Sequence, residues 1–180
     1  MALENGGNAM DACLAASAAQ VVLAAGAYVS FHGLANIVYY DAETQQTYNL
    51  NGEWNGVKEN NPKEIPAVNT PGPNGAAALI PGYIAAFYEA ARRFGSFKPE
   101  ELLEPALYFA ETGFQVYYNL DYLIKAQANP IVLNRTREGM SIFTNPATHE
   151  LYHLGENFTQ PLMAEFLRNV IAHGPDYVYK

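Results

Sequence analysis

The chain has 180 residues, of which 49% are hydrophobic and only 16% are charged. This composition excludes a disordered chain, and the length is sufficient to bury the core of one globular unit, residues 1–180. The net charge of -8, from 18 acidic against 10 basic side chains, disfavours nucleic acid as a partner because a polyanion would be repelled.

The first predicted element is a helix from Ala9 to Ala24. Asn8 is a favourable N-cap, and Asp11 three residues later completes a capping-box pattern. The helix is apolar almost all round, so we expect other layers to enclose it on several sides. Its single cysteine, Cys13, lies among alanines and is predicted to be a buried, inert thiol.

Residues 12–29 form an uncharged segment about as long as a bilayer is thick. The segment is mostly alanine and is interrupted by Ser17, Gln20 and Gly26, which suits a helix inside protein better than a membrane span. No basic stretch precedes the segment, so a signal peptide is not predicted either.

The second element is a β-hairpin. Residues 31–40 end in a run of β-branched and aromatic side chains, residues 41–46 are mostly polar, and residues 47–50 return to strand-forming side chains, a pattern that predicts an antiparallel pair. Residues 51–74 then form a long stretch rich in Asn, Pro and Gly. A stretch of this length indicates either a binding loop or a disordered segment.

Helices dominate the rest of the chain. Apolar residues at helical spacing, with Gly or Pro near the ends, predict helices over residues 84–94, 99–112, 119–127 and 161–173. Residues 142–154 fit a strand or a helix equally. The predicted fold class is therefore α+β, mainly helical, with the hairpin as the principal sheet element.

Three stretches carry motifs, in a fixed order along the chain. The first is N-G-G-N-A-M-D-A at residues 5–12. The second comprises I-P-G at 80–82, R-R-F-G at 92–95, L-L-E-P-A at 102–106 and A-E-T-G-F-Q-V at 110–116. The third joins T-Q-P-L-M-A at 159–164 to G-P-D-Y-V-Y at 174–179. Together these motifs resemble the γ-glutamyltransferase (γ-glutamyltranspeptidase) family, and the similarity is to part of the large subunit only.

The resemblance implies an N-terminal-nucleophile hydrolase with an αββα sandwich. In such enzymes a precursor cuts itself to free a threonine at the start of a small subunit, and the threonine hydroxyl attacks a γ-glutamyl amide. The acyl group then passes to water or to an amine, and no cofactor is expected. The expected partners are the missing small-subunit half and a small-molecule amide substrate.

The same resemblance implies an exported or periplasmic protein. No catalytic residue is expected in this chain, which alone should be inactive. Without the missing half, apolar surface would be left uncovered, and the chain is then expected to self-associate.

The sequence departs from the family at two places. Residues 28–35, Y-V-S-F-H-G-L-A, replace a glycine-rich run. The family's arginine for the substrate α-carboxylate aligns with Glu53, and Glu53, Trp54 and Asn55 are the candidate substrate-binding residues. A carboxylate would repel an α-carboxylate. The alternatives are therefore a different amide substrate, or a non-catalytic or truncated relative that acts as a binding or structural module. Trp54 fits either a pocket wall or an anchor of the loop on the core.

A competing motif lies near the C-terminus. His149, Glu150 and His153 match H-E-x-x-H, which on a helix would hold zinc in a metallopeptidase. The preceding residues, 145–148, are turn-like and disfavour a helix. In a strand the two histidines would lie about 13 Å apart, too far for one metal. A zinc peptidase is therefore kept only as an alternative to the amidase, for which no metal is expected.

Overall fold

The computed structural model describes residues 2–56, 79–127 and 137–180. The helices in these ranges are Ala9–Ala24 (α1), Tyr83–Phe94 (α2), Pro99–Thr112 (α3), Tyr118–Gln127 (α4), Arg137–Phe143 (α5), Pro161–His173 (α6) and Asp176–Tyr179 (α7). The strands are Ala35–Asp41 (β1), Gln46–Gly52 (β2), Phe114–Gln115 (β3) and Asn157–Phe158 (β4). The mainly helical α+β class predicted from the sequence is confirmed.

Strands β1 and β2 form the predicted hairpin. They pair antiparallel, with Val38 opposite Asn49. Tyr39 points to the helical core, where its ring lies 4.8 Å from that of Phe94 in α2. Val38 and Tyr40, on the other face, are 73% and 58% exposed. Because side chains alternate along a strand, the hairpin has one packed face and one open face.

Helices α1, α2, α3 and α6 enclose the main hydrophobic core. Fully buried side chains come from all four helices: Val22, Phe87, Leu103 and Leu167. A second, smaller core surrounds the short pair formed by β3 and β4. Its buried side chains are Val116, Leu120, Ile124, Tyr152 and Phe158. Burying one such large apolar side chain contributes about 1.5–3 kcal/mol, so these two clusters are the main source of stability.

Helix α1 corrects two predictions. Cys13 is exposed rather than buried, and Ala16 and Gln20 on the same side are also exposed. Among the described residues, α1 packs mainly against α3 and α2, and its opposite side is open instead of enclosed. The sequence did not reveal this because an alanine-rich helix has no polar stripe to show which side faces solvent.

Asp11 connects two of the sequence motifs. Its carboxylate accepts a hydrogen bond from the N–H of Asn8 at 2.8 Å, while the Asn8 side chain accepts from the N–H of Asp11 at 3.1 Å, so the predicted capping box is present. The same carboxylate also accepts from the N–H groups of Ser96 at 3.0 Å and Phe97 at 3.2 Å. Asp11 is completely buried. These four residues, here called the Asp11 junction, fix the turn between α2 and α3 at the start of α1.

Some elements were not predicted. The short helices α5 and α7 and the β3–β4 pair were missed, and the ambiguous residues 142–154 contain the end of α5, a turn and a bridge between Thr144 and Leu151. The predicted irregular stretch over residues 51–74 lies outside the described residues from residue 57 onward. Within the described ranges, every helix, α1 included, is too short or too polar to span a bilayer.

Candidate functional site

The candidate residues follow β2, where the hairpin meets the start of α2. A Cβ added at Gly82 would collide with the carbonyl oxygens of Gly52 and Glu53, and one added at Gly52 would collide with the side chain of Ala86. The two backbones therefore approach closely because both positions are glycine. This contact places Glu53 beside the first turn of α2.

Glu53 is exposed, but its carboxylate is held in place. The side-chain amide of Asn36 in β1 donates a hydrogen bond to Glu53 Oε1 at 2.6 Å. The backbone N–H of Glu53 donates to Asn51 Oδ1 at 3.0 Å. Asn36 and Asn51 are opposite each other in the hairpin. The open face of the sheet thus orients Glu53, whose carboxylate has about four acceptor positions and can still accept from a ligand.

Asn55 connects the end of β2 to the I-P-G motif. Its N–H donates to the carbonyl oxygen of Ile80 at 3.0 Å, and the N–H of Ile80 donates to the carbonyl oxygen of Asn55 at 2.8 Å. This short antiparallel bridge holds residues 79–82 alongside residues 52–55.

The three candidate residues do not share one cavity. Glu53 and Asn55 line a cavity of about 560 Å³ together with Arg93 and Tyr179; this is called the Glu53 cavity below. Trp54, which is 46% exposed, lines a different cavity of about 590 Å³ between α1 and the start of β1. Successive side chains of an extended segment point to opposite sides, which separates Trp54 from its two neighbours.

The wall of the Glu53 cavity also carries a positively charged side chain, that of Arg93. The guanidinium groups of Arg92 and Arg93 both donate to the carboxylate of Glu89, with an Arg92 Nη2 to Glu89 Oε1 distance of 2.8 Å. These hydrogen bonds, first from Arg92 and then from Arg93, hold the pKa of Glu89 at about 2. A ligand in this cavity would therefore meet the carboxylate of Glu53 and the guanidinium of Arg93, part of whose charge is offset by Glu89.

The cavity beside Trp54 has a buried tyrosine in its wall. The hydroxyl groups of Tyr83 and Ser17 lie 2.8 Å apart. Burial raises the pKa of Tyr83 to about 12. The hydroxyl is therefore protonated at neutral pH, and it connects the start of α2 to α1.

The H-E-x-x-H segment does not form the helix that such a zinc site requires. His149 lies in a turn with φ of +61°, and Leu151 pairs with Thr144. His153 Nε2 lies 3.9 Å from an exposed Glu150 carboxylate oxygen. In residues 2–56, 79–127 and 137–180, no three His, Cys, Asp or Glu side chains are grouped to hold a metal. The segment gives the zinc hypothesis no geometric support.

Sequence reasoning missed three residues near Glu53, namely Asn36, Arg93 and Tyr179. The alternation of β1 could have placed Asn36 on the open face of the hairpin, where Asn51 lies opposite it. Arg93 and Tyr179 reach the cavity only because distant segments pack together, and no local pattern indicates that contact.

The fold and the candidate site together define a class: an α+β protein in which helices pack on a small antiparallel hairpin whose end forms a charged cavity. Comparison with known proteins then identifies the family. The family model described as gamma-glutamyltranspeptidase matches residues 1–180, and the chain belongs to this family.

Individual relatives agree with this assignment. The glutathione hydrolase proenzyme of Pseudomonas aeruginosa is 34% identical over 104 residues, which are 58% of this chain and 17% of that protein. The crystal structure of Helicobacter pylori gamma-glutamyltranspeptidase has a TM-score of 0.86 at 23% identity, covering 99% of this chain and 51% of that one. Gamma-glutamyltranspeptidase from Pseudomonas nitroreducens, complexed with L-DON, has a TM-score of 0.78 at 28% identity, with coverages of 99% and 52%. The chain thus spans about half the length of these solved chains, and it matches a portion of the family's large subunit.

Proposed function

We propose that the chain is part of the large-subunit half of an N-terminal-nucleophile hydrolase that transfers a γ-glutamyl or related acyl group from an amide to water or an amine. A threonine of a small subunit, outside these 180 residues, would carry the acyl group. The observation that carries the proposal is the family match over residues 1–180. The chain then supplies framework and substrate contacts, and the nucleophile comes from elsewhere.

The proposal includes an αββα sandwich in which the hairpin belongs to a larger sheet. Two open surfaces support it: the hairpin face with exposed Val38 and Tyr40, and the side of α1 that carries Cys13, Ala16 and Gln20. Surfaces with exposed apolar side chains are often covered in the native assembly. The small-subunit half is the proposed cover. Without it, the 180 residues, taken as one unit, would self-associate.

The proposed substrate contact is the Glu53 cavity, with Trp54 on the adjoining wall. Glu53 stands where the family resemblance implies an arginine for an α-carboxylate, and its own carboxylate would repel that group. An ammonium group is the better partner for Glu53, whereas a carboxylate suits Arg93 in the same cavity. The cavity therefore suits an acyl group whose amino-acid end carries both charges.

A non-catalytic relative that only binds a ligand is the second candidate. The observation that favours it is the 2.6 Å hydrogen bond from Asn36 to Glu53. This contact stabilises a carboxylate at the position of the expected arginine, because Asn36 of the hairpin donates to it. A substrate would then meet a negative charge at this position instead of a positive one.

Turnover of a γ-glutamyl anilide distinguishes these functions. The complete protein and the 180-residue chain are each incubated with the anilide, with and without an amine acceptor, and the released aniline is measured. We expect release only from the complete protein, faster release with the amine, and an acyl-enzyme mass increase on a threonine outside these residues. Ligand binding by the complete protein with no release would favour the non-catalytic relative. Release by the 180-residue chain alone would contradict the proposal.

A further inference from the structure

We infer that the hydroxyl group of Tyr179 is a positioning group for the Glu53 cavity, which it stabilises by capping α2 and holding the I-P-G motif against the end of β2. The inference rests on the proposed function, since it concerns the same candidate site. Tyr179 would act indirectly, by holding the backbone of Pro81 and Ala85 in place, and not by contacting a reacting group.

The first line of evidence is the pair of hydrogen bonds made by this hydroxyl. It donates to the carbonyl oxygen of Pro81 at 2.8 Å and accepts from the N–H of Ala85 at 3.2 Å. Ala85 is the third residue of α2, and the N–H groups of a first helical turn have no partner within the helix. Tyr179 therefore supplies, from 94 residues away, the acceptor that an N-cap side chain would normally provide.

The second line of evidence explains why the cap comes from so far away. The N-cap position of α2 is Gly82, which has no side chain to accept a hydrogen bond. A side chain there is excluded because a Cβ would collide with the carbonyl oxygens of Gly52 and Glu53. The carbonyl oxygen of Gly33 accepts from the N–H groups of Gly82 and Tyr83, both at 3.1 Å. The N–H of Ala85, further along the first turn, needs a different acceptor, which is the Tyr179 hydroxyl.

The consequence for the site follows from the same contacts. Pro81 and Gly82 are clamped between the Tyr179 hydroxyl on one side and the backbone of Gly52 and Glu53 on the other. Because interiors are close-packed, a displacement at Pro81 would be transmitted to Glu53. Tyr179 also lines the Glu53 cavity itself.

The test compares Tyr179→Phe with Tyr88→Phe in the complete protein, using hydrogen exchange of individual amides measured by NMR. Both substitutions keep the ring and remove a hydroxyl that donates to a backbone carbonyl group, which for Tyr88 is that of Val170 at 2.9 Å. Tyr179→Phe also removes the acceptor of the Ala85 N–H. Tyr88 lies on the same helix, α2, but lines a different cavity. It is therefore a matched control for a purely structural loss.

We expect Tyr179→Phe to accelerate exchange of the amides of Ala85, Ile80 and Asn55 roughly fivefold to tenfold, because each depends on the clamped segment. Tyr88→Phe should leave these three amides unchanged. Unchanged exchange at Asn55 and Ile80 in Tyr179→Phe, or equal acceleration by both substitutions, would overturn the inference.

Kinetics of the complete protein separate this inference from the proposed function. There, Tyr179→Phe should raise KM for a γ-glutamyl anilide about threefold or more, with a smaller change in kcat, as expected for weakened positioning of bound substrate. Tyr88→Phe should change neither constant, and an equal KM change in both variants would overturn the inference. A wild-type complete protein that releases no aniline contradicts the proposed function instead, and the exchange result then decides the role of Tyr179 by itself.

Discussion

The Asp11 junction and the end of β2 both place a carboxylate beside the ends of α2, yet the two carboxylates have opposite surroundings. Asp11 is completely buried and accepts from the backbone N–H groups of Asn8, Ser96 and Phe97. Glu53 is exposed, and its carboxylate accepts from the side-chain amide of Asn36. Removing a buried carboxylate that satisfies backbone donors costs much stability, whereas an exposed one can change with little effect on stability. We therefore expect the motif at Asp11 to matter for stability and a change at Glu53 to matter for ligand preference.

The largest effect is expected at the Asp11 junction. Asp11→Ala should destabilise the protein by about 3–5 kcal/mol, because it leaves backbone N–H groups buried without an acceptor. Urea unfolding followed by circular dichroism measures the change. The matched control is Glu53→Ala, which should cost no more than about 0.5 kcal/mol. Similar losses for the two variants would remove the distinction between these regions.

The next effect depends on pH and concerns Tyr83, the first residue of α2, whose hydroxyl lies 2.8 Å from that of Ser17 in α1. Burial raises the pKa of Tyr83 from 10.0 to about 12, so the folded state retains the proton longer than the unfolded state. The corresponding stability is fully present below pH 10 and is lost as the pH rises from 10 to 12. The loss is about 2–3 kcal/mol.

Unfolding free energies measured across this pH range in wild type and Tyr83→Phe test the expectation. The variant should have the shallower decline, although Tyr88, whose pKa is also raised to about 12 by burial, still contributes. Equal slopes in the two proteins would show that Tyr83 is not titrating from a buried position.

A smaller effect is expected at the contact between α2 and β2. Gly82→Ala should destabilise the protein by about 1–3 kcal/mol, because the added methyl group meets backbone carbonyl oxygens that cannot rotate away. Thermal unfolding measures the change. Gly56→Ala is a suitable control, since a Cβ at Gly56 would have no atom of the described residues within 4 Å. Comparable melting temperatures for the two variants would mean that the backbones separate easily at Gly82.

Local sequence signals predicted much of the fold. The capping box of Asn8 and Asp11 predicted α1, and the change from β-branched residues to a polar turn and back predicted the hairpin. Each of these patterns is formed by residues that are close together in the sequence. No such signal marked the strands β3 and β4 or the helices α5 and α7. These elements have only two to seven residues, which are too few for a periodic pattern to appear.

The candidate site was predictable only in part, because its geometry depends on distant contacts. Alignment with the family pointed to Glu53, and its position just after a strand was visible in the sequence. The contacts that orient this region connect residues far apart: Asn36 is 17 residues from Glu53, and Tyr179 is 98 residues from Pro81. The exposure of Cys13 was missed for a different reason, since α1 is nearly uniform in hydrophobicity.

The central claim, that Glu53 sets ligand charge preference while the Asp11 junction sets stability, is tested most directly by calorimetric binding of glutarate to the complete protein. Glutarate carries carboxylates without an ammonium group, so wild-type Glu53 should repel it. In Glu53→Arg the new guanidinium can pair with a carboxylate, and the side-chain oxygen of Asn36 can accept from it. We predict binding about tenfold tighter in Glu53→Arg than in wild type, with an unchanged urea midpoint. Unaltered glutarate affinity, or unfolding of the variant, would contradict this account of the site.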